Sequence, residues 1–325
     1  MKAAVVYKLN TIPQYGDFPD PEPKENQQLI RVKAASIKNL DRMLLKGTHY
    51  SNRYKEFPAI AGVDGVGILE NGIRVYAGAT PPYGTMAEMA IIAGNYCVPV
   101  PDTVDDITAA AIPNPAVSAW LSLQWRGNIK KGDTIFISGA TGVTGKLAIQ
   151  LARQMGAGKI IATGRNEKVL QSLHQLGADH VISLMQSEKI IKKEIHSLMQ
   201  QYPFDIVLDY LWGQPAETIL EAITGDDLTR EGHATRYIQV GEMAGSAIRL
   251  TAATLRSAGV ELCGQGGGRV PGEIMARIFT ETIPHIFHLA AEGKISMDTE
   301  IVPLQDIEKA WLQKDAAGRR LVAVP

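Results

Sequence analysis

The feature that most constrains the fold is a run of evenly spaced glycines between two apolar segments of different period. Ser138 to Ala152 reads SGATGVTGKLAIQLA, with Gly139, Gly142 and Gly145 at every third position. Before them Thr134–Ser138 is a compact apolar strand, introduced by the turn Lys131-Gly132-Asp133. After them Lys146–Met155 has helical spacing, with Leu147, Ile149, Leu151 and Met155 apolar. A strand, a tight turn and a helix in this order aim the positive end of the helix at whatever lies above the turn. Glycine lets main-chain N–H groups approach an anion closely, and a bulky side chain at Gly142 would block that approach. The pattern suits the pyrophosphate of a dinucleotide, against the alternative of an ordinary glycine-rich turn.

Strands and helices alternate from there on. Lys159–Thr163 reads as the next strand, and Glu167–Leu176 as a helix that stops at Gly177. Val181-Ile182, Phe204–Asp209, Tyr237–Val240 and Val260–Cys263 supply further strands. Such alternation, with strands that are nearly continuous apolar runs, predicts an α/β, doubly wound parallel sheet of the Rossmann kind. The residues before about 117 are different. Short apolar runs such as Lys2–Tyr7 and Leu29–Ala34 alternate with Pro, Gly and Asp, and AGVDGVG at Ala61–Gly67 marks a curved, turn-rich sheet. After Pro271 a helical segment runs to about Ala291, and short strands follow near Glu300–Val302 and Leu321–Val324. This tail reads as a return to the first domain, giving one domain from 1–116 and 268–325 and another from 117–267.

The second strand of the alternating region ends in Thr163-Gly164-Arg165-Asn166. A site for NAD would place an acid near here, about 20 residues past the glycines, to bind the ribose hydroxyls. Arg165 stands there instead, with Lys168 one helical turn on. A missing acid and a present cation point to the 2′-phosphate of NADPH. The plainer alternative is an exposed arginine beside a helix start.

The same residues, with others along the chain, resemble a known family. GATGVTG is similar to the glycine loop of quinone oxidoreductases and zeta-crystallin-like proteins of the medium-chain dehydrogenase/reductase superfamily. AAIPNPAVSAW (Ala110–Trp120), FPAIAGVDGVGIL, QLGADHVIS and FDIVLDYLWG resemble further segments of that family, in the same order. The resemblance implies a GroES-like, β-rich catalytic domain built from both termini and a central Rossmann domain. It places Gly142, Val143 and Thr144 at the pyrophosphate, Val240 and Gly241 near the nicotinamide ribose, and Ser118 near the nicotinamide. It also implies a homodimer paired through the last Rossmann strand, Val260–Cys263. Asn39 and Asp41 fall where the family has an active-site N-x-x-D, but Lys38 holds the asparagine's place. Leu184 replaces a tyrosine of the family, and the loop between Ile73 and Met86 is short. Tyr50 and Tyr54 lie in a segment that borders the family's substrate cleft. Either would stack on a planar substrate or donate a hydrogen bond, or belong to a surface loop.

Zinc enzymes of this superfamily have an early cysteine, a Gly-His-Glu segment and often a four-cysteine lobe. Here those places read Ile37-Lys38-Asn39-Leu40-Asp41 and Gly62-Val63-Asp64, and the chain has only Cys97 and Cys263. No metal site is expected. His285 and His288 lie one turn apart on a helix and read as a surface pair. The chain's formal net charge of −1 carries no basic excess for nucleic acid or an anionic membrane. Two cysteines in apolar runs fit buried thiols in a reducing cytoplasm. The N-terminus does not read as a signal peptide, and no apolar run is long enough for a membrane span. The functional expectation is zinc-independent hydride transfer from NADPH to a quinone or an α,β-unsaturated carbonyl. The rival is an NADPH-binding protein of the same fold with little turnover.

Overall fold

The computed structural model describes residues 1–224, 233–257, 259–313 and 318–325. Two compact units result, Met1–Asn114 with Gly268–Pro325, and Pro115–Gly267.

The first unit is antiparallel and β-rich. Its N-terminal strands are β1 (Lys2–Val6), β2 (Gln14–Asp17), β3 (Gln27–Ser36), β4 (Ala59–Ile60), β5 (Asp64–Leu69), β6 (Arg74–Ala79) and β7 (Met89–Pro99). β3 pairs with β5, β5 with β6, β6 with β7, and β7 back with β3, so four strands close on themselves. Closure removes the exposed edges that an open sheet would present. Ile30, Val32, Val75, Ala77, Ala90 and Ile92 fill one core of this unit. A second core gathers Ala4, Val6, Ile37, Leu44, Leu45 and Met86 with Ile307 and Trp311 from the C-terminal tail. Helix α1 (Asn39–Lys46) lies between them in sequence and ends at Gly47, whose φ of 69° suits glycine. Helices α2 (Asp106–Ala111) and α3 (Pro113–Trp120) follow β7.

The second unit is a parallel sheet of β8 (Thr134–Ser138), β9 (Lys159–Gly164), β10 (His180–Ser183), β11 (Ile206–Asp209), β12 (Thr235–Gln239) and β13 (Val260–Gly264). The spatial order is β10-β9-β8-β11-β12-β13, the 3-2-1-4-5-6 order of doubly wound dinucleotide-binding sheets. The order reverses between β8 and β11, so the crevice for a ligand opens beyond the carboxyl ends of these two strands. Helices α4 (Val143–Gln154), α5 (Glu167–Ser172), α6 (Glu188–Gln201) and α7 (Gly213–Ile223) connect the strands. The helix expected from Lys146 begins at Val143, because Gly142 is extended and serves as its N-cap. The segment after Glu167 tightens into a 3-10 turn at Leu173–Leu176 and stops at Gly177, with φ 111°. In the tail, β14 (Thr299–Pro303) and β15 (Arg320–Val324) join the first unit's sheet, β15 antiparallel to β3. The thiols expected to be buried, Cys97 and Cys263, are only half-buried.

Behind the crevice lies a buried acid. Asp209 closes β11 at 0% exposure, and the Tyr237 hydroxyl donates to its Oδ2 at 2.8 Å. The N–H of Leu211 donates to Oδ1 at 2.9 Å. Burial raises the pKa of Asp209, opposed by these donors, and burial together with the Asp209 charge pushes the Tyr237 hydroxyl well up. An acid whose folded-state pKa exceeds its unfolded value of about 3.9 contributes stability in its protonated form. That contribution is lost as the pH rises through the folded-state value. The stability of the wild type relative to Asp209→Asn is therefore expected to rise as the pH falls from 7 toward 4. Urea unfolding of both proteins across this range checks it, and a pH-independent difference contradicts it.

Candidate functional site

The glycine loop joins β8 to α4, and each of its glycines meets a different demand. Gly139 has φ 82°, a left-handed turn that most L-residues avoid. At Gly145 a Cβ would lie 2.5 Å from Ala140 Cα, so the helix can pack on the turn only without a side chain. At Gly142 the only nearby atom is the Gly139 carbonyl oxygen, 3.4 Å away, so the other side is open. These are the three demands of a pyrophosphate loop: a tight turn, a close backbone approach and close helix packing. No side chain caps α4. The first N–H groups of a helix have no intrahelical partner, so those of Val143 and Thr144 remain for an anion, with the helix dipole behind them. The residues present fit a dinucleotide.

The end of β9 adds cations. Gly164 lies beside the glycine loop, where a Cβ would meet the Thr141 methyl at 2.3 Å. Arg165 and Lys168 are exposed, with no ion pair among the described residues. Asn166 between them caps α5, its side chain accepting from the Val169 N–H at 3.1 Å. Such a cap contributes about 1 kcal/mol and fixes Lys168 in the first turn of the helix.

Farther along the carboxyl edge of the sheet, the N–H groups of Val240 and Gly241 both donate to the Asp209 carbonyl, at 2.8 and 3.1 Å. Their hydrogen-bonding capacity toward a ligand is therefore mainly as acceptors. The Gly241 carbonyl already accepts from Gln239 Nε2 at 2.9 Å. Ser118 lies on α3, its hydroxyl 3.5 Å from Gln265 Oε1. Ser122, on a π-helical turn at Leu121–Arg126, donates to the Ser118 carbonyl at 2.8 Å.

In the first unit the Lys38-Asn39-Leu40-Asp41 segment starts α1. Asp41 is at 0% exposure, and its two oxygens accept from the backbone N–H groups of Lys38 and Val63, each at 2.9 Å. It holds the start of α1 against the Gly62-Val63 strand entry. Asn39, next to Lys38, is half-buried. The buried pairing of Lys38 is what sequence reasoning did not foresee. Its side chain is 2% exposed, and its ammonium donates to the Ser36 carbonyl at 3.0 Å and to Asp64 Oδ1 at 3.2 Å. It also lies 3.3 Å from Asp41 Oδ2. Asp64 Oδ2 accepts from Asn114 at 3.5 Å. Burial first, then the Asp64 charge, drives the pKa of Tyr76 well up. The signal in the sequence was a lysine directly after the largely apolar run Ala34-Ala35-Ser36-Ile37.

Tyr54, the other tyrosine of the segment, is buried. It is 4% exposed within a core cluster, and burial, reinforced by Asp41, moves its hydroxyl far above the ordinary phenol range. Tyr50 is 69% exposed. Its ring stacks on His49 at 4.1 Å between centroids, and a Cβ on Gly268 would come within 3.1 Å of it. Tyr50 is thus the accessible member of the pair. His285 and His288 have ring centroids 6.4 Å apart, and His288 is near Glu292 at 3.3 Å. Among the described residues no group of three or more His, Cys, Asp or Glu side chains has the arrangement of a metal site.

Removing one member of a buried charge cluster leaves the others uncompensated, at about 3–5 kcal/mol. Lys38→Ala strands Asp41 and Asp64, and a loss of that size in urea unfolding is expected. A loss below about 1 kcal/mol, the range of exposed ion pairs, would show that the cluster is solvated.

Comparison with known proteins agrees with this geometry. Residues 143–226 match the zinc-binding dehydrogenase family model. That segment lies wholly in the parallel-sheet unit, apart from Lys38, Val63 and Asp64. The chain is 28% identical to the probable NADPH-dependent quinone reductase tdiC of Emericella nidulans, over the full length of both. It is 33% identical to the quinone oxidoreductase of Sus scrofa, over 47% of this chain and 48% of that enzyme. The Escherichia coli quinone oxidoreductase, solved in complex with NADPH, superposes with a TM-score of 0.84 at 20% identity, covering both chains entirely. The quinone oxidoreductase of Pseudomonas syringae gives 0.82 at 21% identity, covering 100% of this chain and 99% of its own. These likenesses in structure are likenesses of fold, and they join the sequence matches to the loop and strand order described above. In sequence over its full length and in fold, the chain is thus similar to the quinone oxidoreductases of the medium-chain dehydrogenase/reductase superfamily.

Proposed function

We propose that this protein reduces quinones or α,β-unsaturated carbonyls with NADPH and without zinc. The observation that carries the reading is the uncapped start of α4 beside two cations, Arg165 and Lys168, that have no ion pair among the described residues. The full-length similarity to tdiC, a probable NADPH-dependent quinone reductase, and the shared fold of the Escherichia coli quinone oxidoreductase bound to NADPH support it. When bound, NADPH supplies a hydride. The N–H groups of Val143 and Thr144 hold its pyrophosphate, and Arg165 and Lys168 take the 2′-phosphate. Ser118, Val240 and Gly241 border the nicotinamide end. A conjugated acceptor develops charge on its oxygen as hydride arrives, and one hydrogen bond there lowers the barrier. Tyr50 or water donates it, and Asn39 adds a further polar group.

Lys38 supports the zinc-independent reading. Its ammonium is 3.2 Å from Asp64 Oδ1 and 3.3 Å from Asp41 Oδ2. A dication at these carboxylates would sit beside a buried positive charge and meet strong repulsion. Simple alcohols should then be poor substrates, since alcohol oxidation needs a hydroxyl proton removed, which zinc relatives achieve through the metal.

The decisive assay is paired, following NADPH loss with 1,4-benzoquinone or an enone and NADP reduction with short alcohols. Turnover of the first kind alone, with no stoichiometric zinc in the purified protein, is the expected outcome. Arg165→Ala should weaken NADPH binding about 10- to 100-fold and leave NADH unchanged. Alcohol oxidation that chelators abolish would overturn the proposal. Tight NADPH binding with no turnover on any substrate would move it to the binding-protein reading.

We place the protein in the cytoplasm as a homodimer. The two cysteines are free, and no helix among the described residues is long and apolar enough to cross a membrane. β13 is the edge of the parallel sheet, with Glu261 and Leu262 exposed. An unpaired edge invites pairing with its own copy about a two-fold axis. Sedimentation at micromolar concentration should show a dimer, and a monomer there contradicts it.

A further inference from the structure

β13 ends at Gly264, and the next residue, Gln265, stands at the carboxyl edge of the parallel sheet. Its N–H donates to the Gln239 carbonyl at 2.8 Å, which carries the pairing with β12 one residue past the strand. Gln239 in turn donates through Nε2 to the Gly241 carbonyl at 2.9 Å, so Gln265 is tied to the Val240-Gly241 turn. The residue is 8% exposed, and a buried amide is costly unless both of its ends find partners. One end, Oε1, lies 3.5 Å from Ser118 Oγ and 3.4 Å from Ser122 Oγ. The other end, Nε2, has no hydrogen-bond partner among the described residues.

The protons of this group fix its polarity. Ser122 is fully buried on the π-helical turn Leu121–Arg126, and such turns recur at functional sites. A serine hydroxyl has one proton, and that of Ser122 goes to the Ser118 carbonyl at 2.8 Å. Toward Gln265, Ser122 Oγ is therefore an acceptor. An amide oxygen gives no hydrogen bond, whereas an amide NH2 gives two. The pairing balances when the amide is turned end for end, a change that leaves its shape as it was. Nε2 then gives one N–H to Ser122 and one to Ser118. Ser118, having become an acceptor, keeps its own proton for a ligand, and Gln265 Oε1 becomes an unengaged acceptor.

We propose that Gln265 and Ser118 together recognise the carboxamide of the nicotinamide ring, and that Gln265 selects a primary carboxamide over a ketone at that position. A primary carboxamide presents a carbonyl oxygen that accepts and an NH2 that donates. The Ser118 hydroxyl donates to the first, and Gln265 Oε1 accepts from the second. The inference deepens the NADPH reading above and rests on it.

The test is calorimetric titration of the full chain with NADP, with its 3-acetylpyridine analogue and with 2′,5′-ADP. The analogue keeps the carbonyl and has a methyl group in place of the NH2, and 2′,5′-ADP has no nicotinamide. The wild type should bind the analogue about tenfold more weakly than NADP, the effect of one hydrogen bond whose acceptor is left unpaired. Gln265→Met keeps the length of the side chain and removes both polar ends, and should bind NADP and the analogue within about twofold of each other. Ser118→Ala removes the donor to a carbonyl that both ligands carry, so it should weaken both by the same factor, about three- to tenfold, and keep the preference. All three proteins should bind 2′,5′-ADP within about twofold of one another, since the phosphate contacts are untouched. Equal affinity of the wild type for NADP and the analogue overturns the proposal, and that comparison needs no variant. An outward Nε2 would give this result, because it would meet the carbonyl that both ligands share. A preference that survives Gln265→Met overturns it as well. If 2′,5′-ADP binds and the preference is absent, this proposal falls alone. If the wild type binds neither 2′,5′-ADP nor NADP, the NADPH reading falls and this one with it.

Discussion

A helix cannot satisfy the N–H groups of its own first turn, and where those groups point determines much of what this protein can do. At α4 they lie at the carboxyl end of β8, beside the place where strand order reverses. The glycines of the loop make that exposure possible. Gly139 turns the chain, Gly145 lets the helix approach Ala140, and Gly142 leaves the approach clear. The apolar strands that build the sheet fix the direction of the helix, and the direction of the helix fixes where an anion is stabilised. Arg165 and Lys168 extend the same electrostatic demand at the end of the neighbouring strand. Function here begins as a hydrogen-bonding deficit that the fold concentrates at one edge.

Each unit also holds a buried polar cluster whose members constrain one another. In the β-rich unit Lys38 is bound by Asp41, Asp64 and Ser36, which ties the start of α1 to the entry of β5. In the parallel-sheet unit Asp209 binds Tyr237 and the N–H groups of Leu211 and Trp212. Buried charges carry a desolvation penalty that only good geometry offsets, and both clusters are well supplied with partners. They differ in balance. Lys38 faces two carboxylates, whereas Asp209 is supported by neutral donors alone, so burial raises the pKa of Asp209.

The parallel sheet was legible in the sequence because its signals are local. Apolar runs, glycine stops and the loop between Thr134 and Met155 each act within a few residues, and the strands fall where those runs lie. The start of α4 was displaced by three residues because Val143-Thr144-Gly145 carries no apolar period of its own, and the extended Gly142 alone sets the boundary. The first unit was less legible. Its closure depends on β7 pairing with β3, about sixty residues apart in sequence, and no short motif encodes that. The burial of Asp41 and Tyr54 was not legible either, because side-chain burial depends on what packs from elsewhere. Asp41 is enclosed by α1 and the Val63 strand entry, and Tyr54 is taken up by a core cluster that includes the tail residues Ile307 and Trp311.

The two levels meet at Asp209. A sequence reader sees an acid at the end of an apolar strand, FDIVLD, and has no reason to separate it from a solvent-facing one. In the structure the same carboxylate terminates β11, accepts the Tyr237 hydroxyl, and holds the turn in which Trp212 takes a glycine-like backbone. Strain persists in a native state only where its surroundings over-determine it. Here the determinants are the Asp209 acceptor behind the turn and the Ala244 N–H bonded to the Leu211 carbonyl at 2.7 Å in front of it. The buried acid is therefore a constraint on surface shape. It is destabilised by its own burial, and it fixes the turn that carries the half-buried Trp212 indole.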